Sequence, residues 1–374
     1  MNHRERILAV LNREPPDRLP WAPRILLWYR ARQLTHTMPQ EYEGLSLREV
    51  ERKLDIATAA RDGKVFDAVH DDSVQVEERE EGGKRITEYH TPVGSVRQVM
   101  HFSRDLEEQG LPGRVEEFLL KGPKDYKVWE YVVEHTDYVP AYDAYRAYDA
   151  DIGEDGLPLV GVGDVPLHHF AQALAGYEYA YYQLMDYTQD VEHLLAVMAE
   201  VDKAKKWPVI AESPARLLLH GVHLSSQWTP PRYFRKYILP YYREFMPMMH
   251  EHGKSVAMHA DNDTSAILNE IEEAGWDMVE CFVTAPMVPL TLREARERWG
   301  TRVIIWGGVP SLILSPSYSE EDFRAYMYDA FKVIAPGDAF ILGVADNVMP
   351  DSLIDRVRWI TDLVHERGRY PMSG

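Results

Sequence analysis

The feature that most constrains the fold is a regular succession of short apolar runs, each followed by a polar loop and a helical pattern. The runs are ARLLLHG (214–220), SVAMHAD (255–261), DMVECF (277–282), VIIWGGV (303–309) and AFILGVA (339–345). Because they are apolar almost throughout, they indicate strands buried on both faces, as in a parallel sheet covered by helices. LPLVGVGD (157–164) and RLPWAPRI (18–25) look like earlier members of the series, and KLDIATAA (53–60) could be another. The count approaches eight, so we expect an α/β fold closed into a (β/α)8 TIM barrel.

The region 66–150 interrupts this succession. DSVQVEEREEGGKRITEYHTPVGSVRQVMHF alternates apolar and polar residues around Gly82 and Gly83, a pattern typical of antiparallel β-hairpins. The following RVEEFLLKGPKDYKVWEYVVEH has a helical pattern. We therefore expect one barrel domain over residues 1–374, with an inserted hairpin and helical segment near residues 66–150.

Composition excludes several classes of partner. The chain has 374 residues, 45% of them hydrophobic, and its 41 Lys and Arg against 60 Asp and Glu give a net charge of -19. Such a charge repels nucleic acid and anionic membrane surfaces. Cys281 is the single cysteine, and no run of about 18 apolar residues occurs. We expect a cytoplasmic protein that binds a small-molecule substrate, with no nucleic acid and no membrane as partner.

Polar residues stand where most of the predicted strands end. His220, His259, Asp261, Glu280 and Asp346 close or follow four of the apolar runs. Active sites of barrels lie at the carboxyl ends of the strands, and side chains two apart on a strand point to the same face. We therefore predict that His259, Asp261 and Glu280 converge on one catalytic pocket.

Two kinds of chemistry suit this histidine and these carboxylates. His259, Asp261 and Glu280 could hold Zn²⁺ or another divalent metal, with one position open for water or substrate. Equally, they could work without metal, His259 acting as acid or base and a carboxylate orienting it. The spacing of the residues leaves both possibilities open. Cys281 is interpreted as a small core residue rather than a ligand.

Other residues near the predicted mouth are candidates for substrate binding. The loop HLSSQWTPPRYF follows the strand that ends near His220, and its tryptophan could stack on a planar group such as an aryl ring or a pterin. The arginines of PRILLWYRARQL could bind an acidic group. The predicted substrate-binding residues are Arg24, Arg30, His220, His223, Trp228 and Asp346.

Four segments resemble the uroporphyrinogen decarboxylase superfamily. They are RERILAVLNREPPDRLPW, YILPYYREFMPMMHEHGKSVAMHADND, GWDMVECFVTAPM and APGDAFILGVADNVMPD, and the likeness extends over most of the chain. The resemblance implies a (β/α)8 barrel and one of two activities, decarboxylation or corrinoid-dependent methyl transfer. The resemblance is closer to the methyltransferase (methylcobamide methyltransferase-like) branch, and the decarboxylase pattern Met-Arg-Gln-Ala-Gly-Arg is absent.

The resemblance also implies a metal site, from which this chain departs. Methyltransferases of the branch that use a thiol acceptor carry His-x-Cys on one strand and a second cysteine near the last strand, as a zinc site. His259 matches that histidine, Asp261 stands at the first cysteine, and Val344 or a neighbour stands at the second. Because soft sulfur ligands tune zinc for thiol activation, these replacements argue against a thiol acceptor.

From the resemblance we expect a methyltransferase that moves a methyl group between a small-molecule donor or acceptor and a corrinoid protein. The corrinoid (cobalamin) would be carried by that partner protein. One alternative is a decarboxylase whose arginines hold a carboxylate-bearing substrate. Another is a barrel that binds a tetrapyrrole or corrinoid without catalysis. The large helical faces of barrels also favour a homodimer.

Overall fold

The structure, a computed structural model, describes residues 1–108 and 113–372. The described residues form twelve strands. They are β1 (Phe66–His70), β2 (Gln75–Glu81), β3 (Lys84–Thr91), β4 (Gly94–His101), β5 (Arg114–Glu117), β6 (Thr136–Pro140), β7 (Leu159–Gly163), β8 (Leu217–Val222), β9 (Ser255–His259), β10 (Met278–Phe282), β11 (Ile304–Pro310) and β12 (Phe340–Ala345).

Helices follow the strands and cover the outside of the fold. They are α1 (His3–Leu11), α2 (Leu26–Leu34), α3 (Leu47–Lys53), α4 (Arg104–Glu108), α5 (Pro123–Glu134), α6 (Tyr142–Ile152), α7 (Pro166–His169), α8 (Tyr177–Asp186), α9 (Thr188–Val201), α10 (Trp207–Glu212), α11 (Pro231–Tyr233), α12 (Leu239–Glu251), α13 (Leu268–Ala274), α14 (Leu292–Trp299), α15 (Glu320–Ile334) and α16 (Ile354–Arg367). Over the described ranges, no helix combines the length and the apolarity needed to cross a membrane.

The central sheet is parallel and its strands lie in sequence order. Its six strands run β7-β8-β9-β10-β11-β12, so each strand pairs with the next one along the chain. This order confirms the predicted succession of neighbouring strands. Short strand–helix–strand connections lead to it because a parallel crossover is right-handed and returns beside the strand it left.

Two extended segments close the sheet into a barrel. Residues 18–25 lie between β12 and residues 56–60, and residues 56–60 lie next to β7. Four backbone hydrogen bonds of 2.8 to 2.9 Å make these connections. The bonds run from Leu342 N–H to the Pro20 carbonyl, from Ala22 N–H to that of Leu342, from Ala57 N–H to that of Trp21, and from Leu159 N–H to that of Ala60. With the six strands, these segments complete the (β/α)8 barrel that the sequence predicts.

The barrel interior fixes which way the strand-end side chains point. Ala257 of β9 and Met278 of β10 belong to the buried cluster that fills the barrel. Because side chains alternate along a strand, the residues two positions further on, His259 and Glu280, also face the barrel axis. There the apolar filling ends, and polar groups take its place at the carboxyl end of the barrel.

A β-bulge in β10 adds a third side chain to this end. The register of β10 against β11 shifts between Glu280 and Phe282, and Cys281 has a φ of 53°. The bulge brings β10 so close to β11 that a Cβ on Gly307 would lie 2.7 Å from the Phe282 carbonyl oxygen. Position 307 therefore requires glycine, because a side chain there would clash with the backbone of β10.

The insertion consists of antiparallel sheets and helices. β2 and β3 form a hairpin across Gly82 and Gly83, as predicted, within the sheet β2-β3-β4-β5, and β1 pairs with β6. The predicted helical stretch 114–135 is wrong at its start, because residues 114–117 form strand β5, whose alternating side chains pair with β4. The helix α5 begins only at Pro123. Residues 109–112 of the insertion lie outside the described residues.

Candidate active site

His259 and Glu280 form the buried centre of the site. They are direct partners in the pairing of β9 with β10, and His259 Nδ1 lies 2.7 Å from Glu280 Oε2. Only 5% of the His259 side chain and 1% of the Glu280 side chain are exposed. A carboxylate can only accept a hydrogen bond. Nδ1 therefore carries the ring proton and donates a hydrogen bond to Glu280. Nε2 is then the free nitrogen of the ring.

Two further carboxylates face that nitrogen. His259 Nε2 lies 3.6 Å from Asp261 Oδ2 and 3.4 Å from Asp346 Oδ1. Asp261 Oδ1 is buried and has no hydrogen-bond partner among the described residues. A buried carboxylate oxygen without a hydrogen-bond donor is unusual. Asp261 Oδ1 therefore marks a position where a ligand or an ion would bind.

His223 approaches the same carboxylate from the loop after β8. Its Nδ1 lies 2.6 Å from Asp261 Oδ2. Burial alone would lower the pKa of His223, but the hydrogen bond and the charge of Asp261 outweigh it and raise the pKa. Burial would raise the pKa of Asp261, but the hydrogen bond with His223 and the contact with His259 hold it well below its usual range. Asp261 is therefore ionised at neutral pH.

The pKa of His259 moves in the opposite direction. Burial lowers it, and the charge of Arg61 lowers it further, while Asp261 and Asp346 only partly offset these effects. His259 is therefore neutral at neutral pH, and its Nε2 is an acceptor. The pKa values of the two histidines thus shift in opposite directions although both residues contact the same aspartate.

Arg61 is a member of the cluster that the sequence analysis missed. Its Nη2 forms an ion pair with Glu280 Oε1 and lies 3.6 Å from Cys281 Sγ. Burial lowers the pKa of Arg61 to about 10, so Arg61 remains charged at neutral pH. A signal was present, because Arg61 directly follows the predicted strand 53–60, in the same position as the other strand-end residues.

Cys281 belongs to the wall of this cluster. The bulge in β10 places its Sγ 2.8 Å from Glu280 Oε1 and 3.2 Å from the Asp346 carbonyl oxygen. Burial raises the pKa of the thiol to about 12. The thiol is therefore protonated and donates a hydrogen bond, which makes it a poor metal ligand.

The predicted arginines lie on one side of the cluster. Arg24 Nη1 lies 3.0 Å from Asp346 Oδ1. Arg24, Arg30 and Arg61 line a cavity of about 720 Å³. Arg30 is exposed and forms no hydrogen bond or ion pair within residues 1–108 and 113–372. Arg24 and Arg61 are paired with Asp346 and Glu280, so Arg30 is the one of these three arginines that is left without a partner among the described residues.

His220 does not join the cluster. Its Nδ1 lies 2.7 Å from the Tyr242 hydroxyl on α12, and burial lowers its pKa to about 3. The pairing of β8 with β9 shifts between Leu219 and Val222, so alternation along the sequence does not give the orientation of this part of β8. His220 contacts the helix layer, and its predicted role in substrate binding has no contact to support it.

The three residues predicted as metal ligands do not surround one point. Glu280 contacts His259 Nδ1 and is paired with Arg61, whereas Asp261 lies near Nε2. Donor atoms of His223, His259 and Asp261 do lie within 4.8 Å of one another. This set fits a divalent metal, because it offers nitrogen and oxygen donors, an unpartnered Asp261 Oδ1 and a carboxylate on the other nitrogen of His259.

Comparison with known proteins gives the family. The uroporphyrinogen decarboxylase (URO-D) family matches residues 96–367, which include β7 to β12 and every cluster residue except Arg24 and Arg61. Among 27 matching chains of solved structures is a methyltransferase from Methanosarcina mazei. Its TM-score is 0.58 at 15% identity, and the match covers 98% of this chain and 99% of that one, so it shows a shared fold. No curated protein sequence matches. The chain belongs to the uroporphyrinogen decarboxylase (URO-D) family.

Proposed function

We propose that this protein is a methyltransferase that moves a methyl group between a small molecule and a corrinoid protein. The observation that carries the proposal is the free Nε2 of His259, buried between Asp261 and Asp346 while Nδ1 donates to Glu280. The family and the fold shared with the Methanosarcina mazei methyltransferase support it. The corrinoid would supply the cobalt–carbon bond that is made or broken.

The proton balance of methyl transfer gives His259 its role. When a methyl group reaches an oxygen, nitrogen or sulfur atom that carries a proton, that proton must leave. A neutral Nε2 can accept it, and the imidazolium that forms is stabilised by Asp261 and Asp346 at 3.6 and 3.4 Å. In the reverse direction the same nitrogen returns the proton to the leaving atom. His259 is therefore proposed as the acid–base residue.

Spectroscopy of cobalt tests this proposal without a known partner. Methylcobalamin is incubated with the protein and a panel of phenols, amines and thiols, and demethylation is followed by the change in absorbance. Reduced cobalamin with methylated members of the panel tests the reverse direction. Cobalt-dependent turnover with at least one compound is expected. An unchanged spectrum in both directions, together with carbon dioxide release from a carboxylate-bearing compound, would contradict the proposal.

A metal-dependent version is supported by the grouping of His223, His259 and Asp261. These residues would hold a divalent cation, which would act as a Lewis acid on the substrate heteroatom. Elemental analysis of the purified protein distinguishes the versions. Stoichiometric metal that is lost in His259→Gln supports the metal version, whereas metal-free protein with full activity supports His259 as acid and base.

Decarboxylation is the second candidate, and the unpaired Arg30 in the cavity beside the cluster favours it. Arg24, Arg30 and Arg61 line one cavity in a chain whose net charge is -19. Guanidinium groups bind carboxylates well, and Arg30 has no partner in the described parts of the chain. Uroporphyrinogen is offered to the protein and carbon dioxide is measured. This candidate predicts release that Arg30→Gln weakens and Arg32→Gln, on the same helix, does not.

A further inference from the structure

Trp228 differs from the other tryptophans of the chain in its exposure. The chain has nine tryptophans, and Trp228 is the one whose side chain is exposed, at 36%, while the others are buried or half-buried. It lies in the loop after β8, at the carboxyl end of the barrel. It stands five residues after His223, which contacts Asp261 in the cluster, so its ring belongs to the loop that also contributes to the site.

One face of this ring is occupied. The Trp228 and Tyr177 rings are stacked, with centroids 4.6 Å apart and an interplanar angle of 28°. A stacked neighbour restrains the tryptophan, and no other ring of the described residues stacks on its opposite face. Trp228 and Tyr177 are called the aromatic shelf below.

A chain of hydrogen bonds anchors the shelf. The Tyr177 hydroxyl lies 3.0 Å from His168 Nε2, and His168 Nδ1 lies 3.4 Å from Asp164 Oδ1. Burial would raise the pKa of Asp164, but the contact with His168 lowers it to about 2, so Asp164 is ionised and accepts from Nδ1. The other ring nitrogen, Nε2, is the partner of the Tyr177 hydroxyl. The hydroxyl, and with it the ring under Trp228, is held in one orientation.

The same chain connects the shelf to the catalytic cluster. Asp164 Oδ1 also accepts the Val222 N–H at 2.7 Å, next to His223, which contacts Asp261. Burial raises the pKa of Tyr177, and the nearby charges of Asp164 and Asp261 raise it further. The loop that carries His223 into the cluster therefore also carries Trp228.

We infer that the free face of Trp228 binds a planar aromatic group of the substrate, the part of the molecule next to the methyl that is transferred. A flat ring can stack on the single face that the shelf offers. A quaternary ammonium ion is instead bound by several rings that face it from different sides, and the stacked pair presents only one. This inference rests on the proposed function and adds the class of the substrate.

Binding of small probes tests the inference without turnover. 2-Methoxyphenol is titrated into the full chain, and binding is followed by saturation-transfer NMR, with tetramethylammonium as the contrasting probe. We expect the wild type to bind the aromatic probe, Trp228→Leu to bind it about 3- to 10-fold more weakly, and Trp228→Tyr to retain binding. Tyr177→Phe, which keeps the ring and loses the anchor, should lie between these.

Tyr179→Leu is the matched control, because Tyr179 is an exposed aromatic on α8, at 62%, that stacks on no other described ring. It should bind 2-methoxyphenol as the wild type does. Equal binding by the wild type and Trp228→Leu, or binding of tetramethylammonium alone, would overturn the inference. Cobalt-dependent turnover of an aliphatic compound with no aromatic binding would refute the shelf but not the methyltransferase. Binding of the aromatic probe without any methyl transfer would refute the methyltransferase but not the shelf.

Discussion

At the scale of single residues, the site is organised by one buried ion pair. Glu280 has 1% of its side chain exposed, and it accepts from His259 and Cys281 while paired with Arg61. A buried carboxylate is tolerated only when charge and hydrogen bonds compensate for its lost hydration. Arg61 therefore compensates the charge of Glu280, and Glu280 occupies Nδ1 of His259 and leaves Nε2 free.

Removing Arg61 should be costly because it leaves that charge without its partner. Arg61→Gln is expected to lower the free energy of unfolding by about 3–5 kcal/mol, measured by urea denaturation. Arg4→Gln is the matched control, since Arg4 forms a two-bond pair with Asp149 that is partly exposed, and it should cost about 1 kcal/mol or less. Equal losses in the two variants would show that Arg61 does not compensate a buried charge.

The raised pKa of His223 predicts a pH dependence with a definite sign. A histidine whose pKa is higher in the folded protein than its usual 6.5 stabilises the fold fully at pH values below 6.5. That contribution is lost as the pH rises through the raised pKa. The stability difference between the wild type and His223→Gln should thus be largest near pH 6 and shrink towards pH 9. A difference that grows with pH would contradict the His223–Asp261 contact.

At the scale of elements, the sequence predicts the strands better than the faces that they present. The five runs ending at positions 220, 261, 282, 309 and 345 are neighbouring strands because continuous apolarity is specific to a buried parallel sheet. Residues 114–117 form a strand where a helix is predicted, because four residues are too few to establish a period of apolar positions. His220 was misplaced because a shift in register is a property of two paired strands, which neither sequence segment reveals alone.

The bulge of β10 gives a prediction at this scale. Gly307→Ala should destabilise the protein by about 1–3 kcal/mol, because its Cβ would lie 2.7 Å from the Phe282 carbonyl oxygen. Gly161→Ala in β7 is the control, since its Cβ would have no neighbour within 4 Å. Urea denaturation of both variants measures the effect. If the two glycines tolerate alanine equally, the close approach of β10 to β11 is not as described.

At the scale of the whole molecule, the site exists only because the barrel closes. The cluster collects side chains from Arg24 to Asp346, and closure by residues 18–25 and 56–60 carries Arg24 and Arg61 to the carboxyl ends of β10 and β12. His259 and Asp261 could be predicted from the sequence because they stand two apart at the end of one strand. Arg61 could have been predicted in the same way, because it directly follows the predicted strand 53–60, but its pairing with Glu280 depends on how the barrel closes.

The rate of methyl transfer with His259→Gln tests the central claim most directly. Once a compound that turns over with methylcobalamin is known, the account predicts a rate about 10²- to 10⁴-fold below that of the wild type. His250→Gln should keep the wild-type rate, because His250 pairs with Asp277 at 3.0 Å on the outer helix α12, away from the cluster. Near-wild-type turnover by folded His259→Gln would contradict the account.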